Sequence, residues 1–351
     1  MENTTQVPNI TVNCTSSGRH AFLFILIPVI YSCNFVIGIV GNGLVVTVIY
    51  CYIKLETVAS IFILNLALSD LTFLITLPLW ATYTALGYHW PFGSFLCKAI
   101  SGLVTFNLYS SVFFLTCLSI DRYLAIVHPV KSRPKRTIFY ARVTCTLIWI
   151  LAFLMSVPNM CFRDVFFMKD LNLTVCGLLY EPNNTNRILV GMSLMKSILG
   201  FLIPFATIIT CYCLIGKAIL DAYHVQKNKS RNDEVLKMLA AVVAAFFVCW
   251  FPHQIFHFMD ILVNLNVIQN CKIVDIVDTA MPFTICVAYF NSCLNPILYS
   301  FVGNNFRKNL LRLLKCTPPL VVSHPSLSSK TSSISYRGSE ILHLTTNKVV
   351  L

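Results

Sequence analysis

Apolar residues arrive along this chain in seven long runs, near 22–50, 58–86, 96–127, 143–162, 188–216, 235–263 and 273–301, each parted from the next by a short segment rich in polar and charged residues. A helix needs about 20 mostly apolar residues to cross the hydrocarbon of a bilayer, and each run reaches that length. Barrel strands would be shorter and would alternate apolar with polar residues, whereas these runs are continuous. The pattern predicts an all-α membrane protein, a bundle of seven transmembrane helices with its two ends on opposite sides. After the last run, Asn304 to Leu314 sets Phe306, Leu310, Leu311, Leu313 and Leu314 against Arg307, Lys308 and Arg312, which predicts a short amphipathic eighth helix on the membrane surface. The expected divisions are 1–21, 22–303 for the bundle, 304–316 for the surface helix, and 317–351.

Composition agrees with a lipid solvent. Hydrophobic residues make up 56% of the 351 and charged residues 11%, against about a quarter charged in a soluble domain. The net charge of +12 would suit nucleic acid if it formed one patch, but the basic residues are scattered through the segments between runs. With the N-terminus placed outside, the cytoplasmic segments hold Lys54 and the six Lys and Arg from Arg122 to Arg142, five from Lys217 to Lys237, and seven from Arg307 to Lys348, so 19 of the 26 lie on the cytoplasmic side. That asymmetry follows the positive-inside rule.

The first twenty residues carry neither a basic leader nor a small-residue cleavage site, so no cleaved signal peptide is expected. Glycosylation sequons stand at Asn3, Asn9, Asn13, Asn172 and Asn183 in segments placed outside, and a sixth, Asn228, falls in a loop placed inside. Cys316 follows the amphipathic stretch, either as a palmitoylated anchor or as a plain cytosolic thiol. From Thr317 the chain is rich in Ser and Thr, including Ser326, Ser328, Ser329, Thr331, Ser332, Ser333 and Ser335, and too poor in large apolar residues to fold; a disordered, phosphorylatable tail is expected.

Polar groups at bilayer depth are expensive and mark function. Asp70 lies in the middle of the second run, with Asn42, Ser111, Asn291, Ser292 and Asn295 at comparable depth in others. Such a cluster suits a sodium ion, or a water-filled structural network; the residues alone favour neither. Asp121-Arg122-Tyr123 closes the third run, where the arginine can pair with its neighbour in one state and reach elsewhere in another. Pro252, in Cys249-Trp250-Phe251-Pro252, removes a hydrogen bond inside the sixth run and predicts a kink; Pro204 and Pro296, the latter in Asn295-Pro296-Ile297-Leu298-Tyr299, do the same in the fifth and seventh. Of fifteen cysteines, Cys14, Cys97, Cys176 and Cys271 fall in outer segments, enough for two disulfides with three connectivities open.

Asn42, Asp70, the Asp121–Tyr123 triplet, Trp149, Pro204, Cys249–Pro252 and Asn295–Tyr299 place one landmark in each run, in order, and in this the chain resembles the rhodopsin-like G-protein-coupled receptors. Longer stretches, among them Lys54–Ser60, Leu77–Ala81, Cys117–Pro129, Pro252–Phe256 and Ile276–Pro282, resemble the angiotensin-receptor branch, and Ala125–Pro129 with Pro252–Gln254 resemble one of its two subtypes. The resemblance implies a receptor, not an enzyme, for the peptide hormone angiotensin II. Its partners would be a heterotrimeric G protein on the cytoplasmic side, arrestin, and receptor kinases acting on the tail. It pairs Cys97 with Cys176 and Cys14 with Cys271.

It also implies Trp250 as activation switch, and Arg122 with Tyr212 and Tyr299 as the intracellular switch. Asn107 would restrain the resting state through the position that here is Ser292. The implied ligand residues are Tyr31, Trp80, Tyr83, Tyr88, Arg163, Lys196, Trp250, His253, Gln254, Asp260, Asp278, Ile285 and Tyr289. Arg163 and Lys196 suit carboxylates, Asp260 and Asp278 a guanidinium or amine, and the aromatics stacking. The blander reading pairs Arg163 with Asp164 and leaves the aromatics as an interfacial belt. Departures from the family are Asn232, where many relatives have an acid facing the switch arginine, the shorter Ser292, and Leu179. The competing readings are another peptide-binding rhodopsin-like receptor and, in a different class, a transporter, for which no inverted repeat is visible. His253 and His257 stand four residues apart as in a metal motif, though Gln254 replaces its glutamate.

Overall fold

The computed structural model describes residues 22–53, 55–134, 136–168, 172–178, 185–223, 232–265, 267–302 and 304–315. Asn3, Asn9, Asn13, Cys14, Leu179, Asn183, Asn228, Cys316 and the tail serines and threonines lie outside the described residues, as does the side chain of Asn232.

Among the described residues, seven helices are long and apolar enough to cross a membrane. The first span is α1 (Leu23–Val48), which widens into a π-turn over Ile49–Ile53. The second is two pieces, α2 (Val58–Leu74) and α3 (Leu77–Ala85), where one continuous helix was expected. Pro78 is the cause: it has no N–H to donate one turn back, so the ladder breaks at Ile75–Thr76, and Thr76 Oγ1 takes up the Phe73 carbonyl at 2.7 Å. Thr57 starts α2 with a capping box, accepting from the Ser60 N–H at 3.1 Å while Ser60 Oγ accepts from the Thr57 N–H at 3.3 Å.

The third span, α4 (Gly93–Val127), ends at the short turn α5 (Pro129–Ser132), and the fourth is α6 (Ile138–Cys161), capped by Thr137. The fifth span comprises α7 (Thr185–Ser197), a π-turn over Ile198–Leu202, and α8 (Ile203–Tyr223). The irregularity expected from Pro204 therefore takes the form of a π-turn on its N-terminal side, where its missing donor disrupts the ladder. The sixth and seventh spans are α9 (Asn232–Asn264), with Pro252 inside, and α10 (Cys271–Val302), with Pro282 and Pro296 inside. A further helix, α11 (Asn304–Leu314), follows.

Between α6 and α7 an antiparallel hairpin, β1 (Arg163–Met168) with β2 (Leu173–Leu178), departs from the all-α expectation; its register sets Arg163 opposite Leu178 and Met168 opposite Leu173. Asn172 takes a left-handed conformation beside the turn, which Asn tolerates better than most residues. Cys176 of β2 is disulfide-bonded to Cys97 of α4, the pairing the resemblance implied. Cys271 is also in a disulfide.

The long α4 is the central post, packed against α2, α6 and α8, while α1 lies against α3 and α10, and α9 against α10. Polar side chains tie these packings. Trp149 Nε1 donates to Asn65 Oδ1 at 2.8 Å, and Asn159 Nδ2 donates to the Ser101 carbonyl at 2.7 Å and to Thr105 Oγ1 at 2.9 Å. Many large apolar side chains point outward, among them Val36 and Val40 of α1, Leu147 and Phe153 of α6, and Val248 of α9. Water would not tolerate so much exposed apolar surface, and acyl chains do.

Among the glycines of α1, Gly38 has the least room: an added Cβ would stand 2.5 Å from Leu74 Cδ2 and 3.1 Å from Cys293 Sγ, whereas at Gly43 it would meet nothing within 4 Å. Gly38→Val is therefore expected to destabilise the detergent-solubilised protein by about 1–3 kcal/mol through overpacking, with Gly43→Ala nearly neutral. Thermal melting checks this, and equal melting temperatures for the two variants would contradict the packing described.

Candidate ligand site and polar switch

At the hairpin end of the bundle, side chains from several elements meet. Tyr31 of α1, Trp80 of α3, and Ile285 and Tyr289 of α10 pack in one apolar cluster with Phe73 and Leu77. The Tyr31 and Tyr289 rings are 5.7 Å apart, and Phe73 meets Tyr289 edge-on at 4.8 Å. A second aromatic group joins it through Trp80: Tyr83 lies 5.4 Å from Tyr88 and 5.5 Å from Trp90. Trp90, absent from the sequence-based set, is 1% exposed, and its backbone N–H donates to the Thr174 carbonyl at 2.7 Å, sewing the α3–α4 connection to the hairpin. Only the chain's return in β2 identifies it, so no local signal was available.

Arg163 and Asp164 do not pair. Neighbouring residues of a strand point to opposite faces. Asp164 turns to Lys98 of α4, 2.9 Å away, to the Ser94 hydroxyl and to the Val165 N–H at 2.7 Å. Arg163 turns to the other face, with one donor 3.4 Å from Ser101 Oγ and its Nε buried without a hydrogen-bond partner among the described residues. Burial pulls its guanidinium below the ordinary arginine value, against the influence of Tyr289 and Tyr83. Lys196 lies near enough to Arg163, His253 and His257 for their charges to act on one another. Neither Arg163 nor Lys196 forms an ion pair among the described residues.

From α9, Gln254 accepts from Ser197 Oγ at 3.2 Å, and His253 stacks on His257 at 5.7 Å and lies 3.5 Å from Thr284 Oγ1. The Nε1 atoms of Trp80 and Trp250 and Nε2 of His257 are buried without hydrogen-bond partners among the described residues. A buried polar group left unpaired costs about 1–3 kcal/mol, so the site is built to gain from a polar guest. Asp260 stands half-buried on α9 and Asp278 exposed on α10.

Midway down the bundle Asp70 is fully buried and receives four donors. Ser292 Oγ (2.8 Å), Asn107 Nδ2 (3.2 Å) and Ser111 Oγ (3.3 Å) reach Oδ1, and Asn295 Nδ2 (2.9 Å) reaches Oδ2. Asn107 also donates to Ser69 and Ser111, and Ser69 is 2.6 Å from Ser110; the two additional serines were not foreseen. Asn107 and Ser292 thus meet on the Asp70 carboxylate, which joins α4 to α10. Asn42 holds the Ser292 carbonyl at 2.9 Å and leaves the carboxylate alone, and Asn291 makes no bond to it. The Oδ1 atoms of Asn42, Asn291 and Asn295 are buried without partners among the described residues.

Toward the α11 end, Arg122 Nε donates to Asp121 at 3.0 Å, and Tyr123 reaches His128 at 3.1 Å. The implied grouping of Arg122 with Tyr212 and Tyr299 is not hydrogen-bonded here, because Asp121 holds the guanidinium. Tyr299 instead packs its ring 6.0 Å from Phe306 of α11. Trp250 lies at the core below His253, its ring 5.9 Å away.

Seven apolar spans enclose a polar joint, with an arginine pinned toward one end. A family model described as 7 transmembrane receptor (rhodopsin family) matches residues 41–299, and the chain belongs to that family. It is a family of receptors, not enzymes. Within it the chain is similar to type-1 angiotensin II receptors: it is 60% identical to those of Meleagris gallopavo and Gallus gallus and 56% identical to that of Homo sapiens, over 342 residues in each case. These matches cover 97% of this chain and 95% of each relative.

The Ser94 hydroxyl, then Lys98, hold the Asp164 carboxyl at about 2, below its ordinary 3.8. A depressed carboxyl contributes stability that is fully present above its unfolded value and is lost only as pH falls through its folded value. The stability difference between the wild-type chain and Asp164→Asn is therefore expected to stay flat from about pH 5 to about pH 8. Thermal melting across that range checks it, and a difference that shrank toward pH 5 would contradict the contacts assigned.

Proposed function

We propose that the chain is a plasma-membrane receptor for angiotensin II, with its N-terminus outside and its C-terminus in the cytoplasm. It activates a heterotrimeric G protein of the Gq/11 class, and so phospholipase C and calcium release. Phosphorylation of its tail by receptor kinases recruits arrestin. One observation carries the ligand assignment: at a largely aromatic site Arg163 and Lys196 lie near enough for their charges to interact, and neither forms an ion pair among the described residues. Two cations near enough to feel each other's charge repel, and a carboxylate between them relieves the repulsion. A short peptide with a free C-terminal carboxylate and aromatic side chains meets both demands. Asp260 and Asp278 are the acceptors for its basic end. The likeness to the type-1 angiotensin II receptors supports the same reading.

In this reading, the peptide presses from the aromatic cluster toward His253 and Trp250, and the movement of α9 about Pro252 frees the α11 end for the G protein. Asp70 holds a sodium ion in the resting state. Its carboxylate, the Ser111 and Ser292 hydroxyls and the unpartnered Asn295 Oδ1 supply the hard oxygen atoms that such an ion prefers. Helix α11 lies on the inner membrane surface, anchored by a palmitoyl group on Cys316, and Asn3, Asn9, Asn13, Asn172 and Asn183 carry glycans.

Cells expressing the chain are expected to release calcium when angiotensin II is applied. Arg163→Ala and Lys196→Ala should each weaken hormone binding by about 2–5 kcal/mol, the cost of truncating one partner of a buried charge pair. Silence at good surface expression would remove the hormone assignment. Replacing sodium by a bulky organic cation should raise the apparent hormone affinity, and Asp70→Asn should abolish that shift; an equal shift in both chains would place the ion elsewhere.

A further inference from the structure

The carboxylate of Asp121 holds two arginines. Arg122 takes Oδ2, while Arg136 reaches Oδ1 with Nε at 2.7 Å and Oδ2 with a terminal nitrogen at 3.3 Å. Arg136 lies fifteen residues downstream, and a folded turn delivers it. His128 closes α4, the Ser132 N–H donates to the His128 carbonyl at 3.0 Å, Ser132 Oγ donates back to the Leu124 carbonyl at 2.9 Å, and the Arg136 N–H donates to the Ser132 carbonyl at 3.1 Å. Thr137 then caps α6. The Asp121 side chain is 5% exposed, Arg122 14% and Arg136 25%, so the shared carboxylate is shielded and the second arginine is the more accessible.

Two cations on one carboxylate weaken each other's hold, because each repels the other. The second also changes what departure costs. If Arg122 were the sole partner, its release would strand a buried carboxylate, which is strongly unfavourable. With Arg136 in place the carboxylate keeps a bidentate partner of the right geometry. We infer that Arg136 is the relief counter-ion of the switch: it keeps Asp121 neutralised when Arg122 leaves, and so biases the receptor toward release. The inference rests on the reading of Arg122 as the intracellular switch. Arg136 is a positioning residue in this scheme, acting through Asp121.

The test is a double-substitution cycle on the full chain in cell membranes, reading nucleotide exchange on the G protein with and without angiotensin II at matched surface expression. Arg136→Gln should lower both agonist-independent and agonist-driven exchange about fivefold, the lower end of ordinary coupling between sites. Arg136→Lys, which keeps the charge, should retain most of it. In an Asp121→Asn background there is no carboxylate to neutralise, and adding Arg136→Gln should change nothing further. An equal loss in both backgrounds would show that Arg136 touches the G protein directly and would overturn the inference, as would unchanged or raised exchange in Arg136→Gln alone. Failure of the underlying switch reading is distinct: Asp121→Asn would then leave exchange at the wild-type level. A chain indifferent to angiotensin II loses only the hormone assignment, because agonist-independent exchange still decides the role of Arg136.

Discussion

Inside a bilayer no water is available to the backbone, so every peptide group must find its partner within the chain, and every polar side chain that enters must find one too. The seven spans meet the first demand as helices. The second shapes what happens between them. Asp70 is tolerable only because α4 and α10 together aim four donors at it. Those donors join helices distant in sequence, so the most costly residue in the bundle is also the joint at which it is held.

The same constraint explains where the helices deviate. Pro78 divides the second span, and a π-turn precedes Pro204 in the fifth. Each irregularity frees backbone groups that must be taken up locally, as Thr76 does for the Phe73 carbonyl. The first break lets α3 carry Trp80 and Tyr83 into contact with Trp90 and the hairpin end of the bundle. The second lies just after Lys196 and Ser197, where α7 faces α9.

The two ends of the bundle handle charge differently. At the hairpin end, strand alternation separates Arg163 from Asp164; the acid goes to Lys98, and the arginine, within reach of the Lys196 charge, has no ion pair among the described residues. At the α11 end the opposite holds, with one carboxylate serving two arginines. A surplus of cations awaiting an anion suits capture of a ligand, whereas a shared anion suits an exchange between two held positions. Mid-depth Asp70 stands between them, contacted from the helices that lead to both.

The number of spans and the place of Asp70 within the second were legible in sequence, because each depends on residues adjacent in the chain: a run length, and a charge inside it. The landmark residues of the family were legible for the same reason. The hairpin was not, since its strands are six residues each and lie in a loop, where alternation over so short a stretch carries little signal. Nor could the sequence place Trp90 under β2, Lys98 on Asp164, Ser69 in the Asp70 network, or Arg136 on Asp121. Those pairings depend on which faces the helices and the hairpin turn toward one another, and only packing in three dimensions decides that.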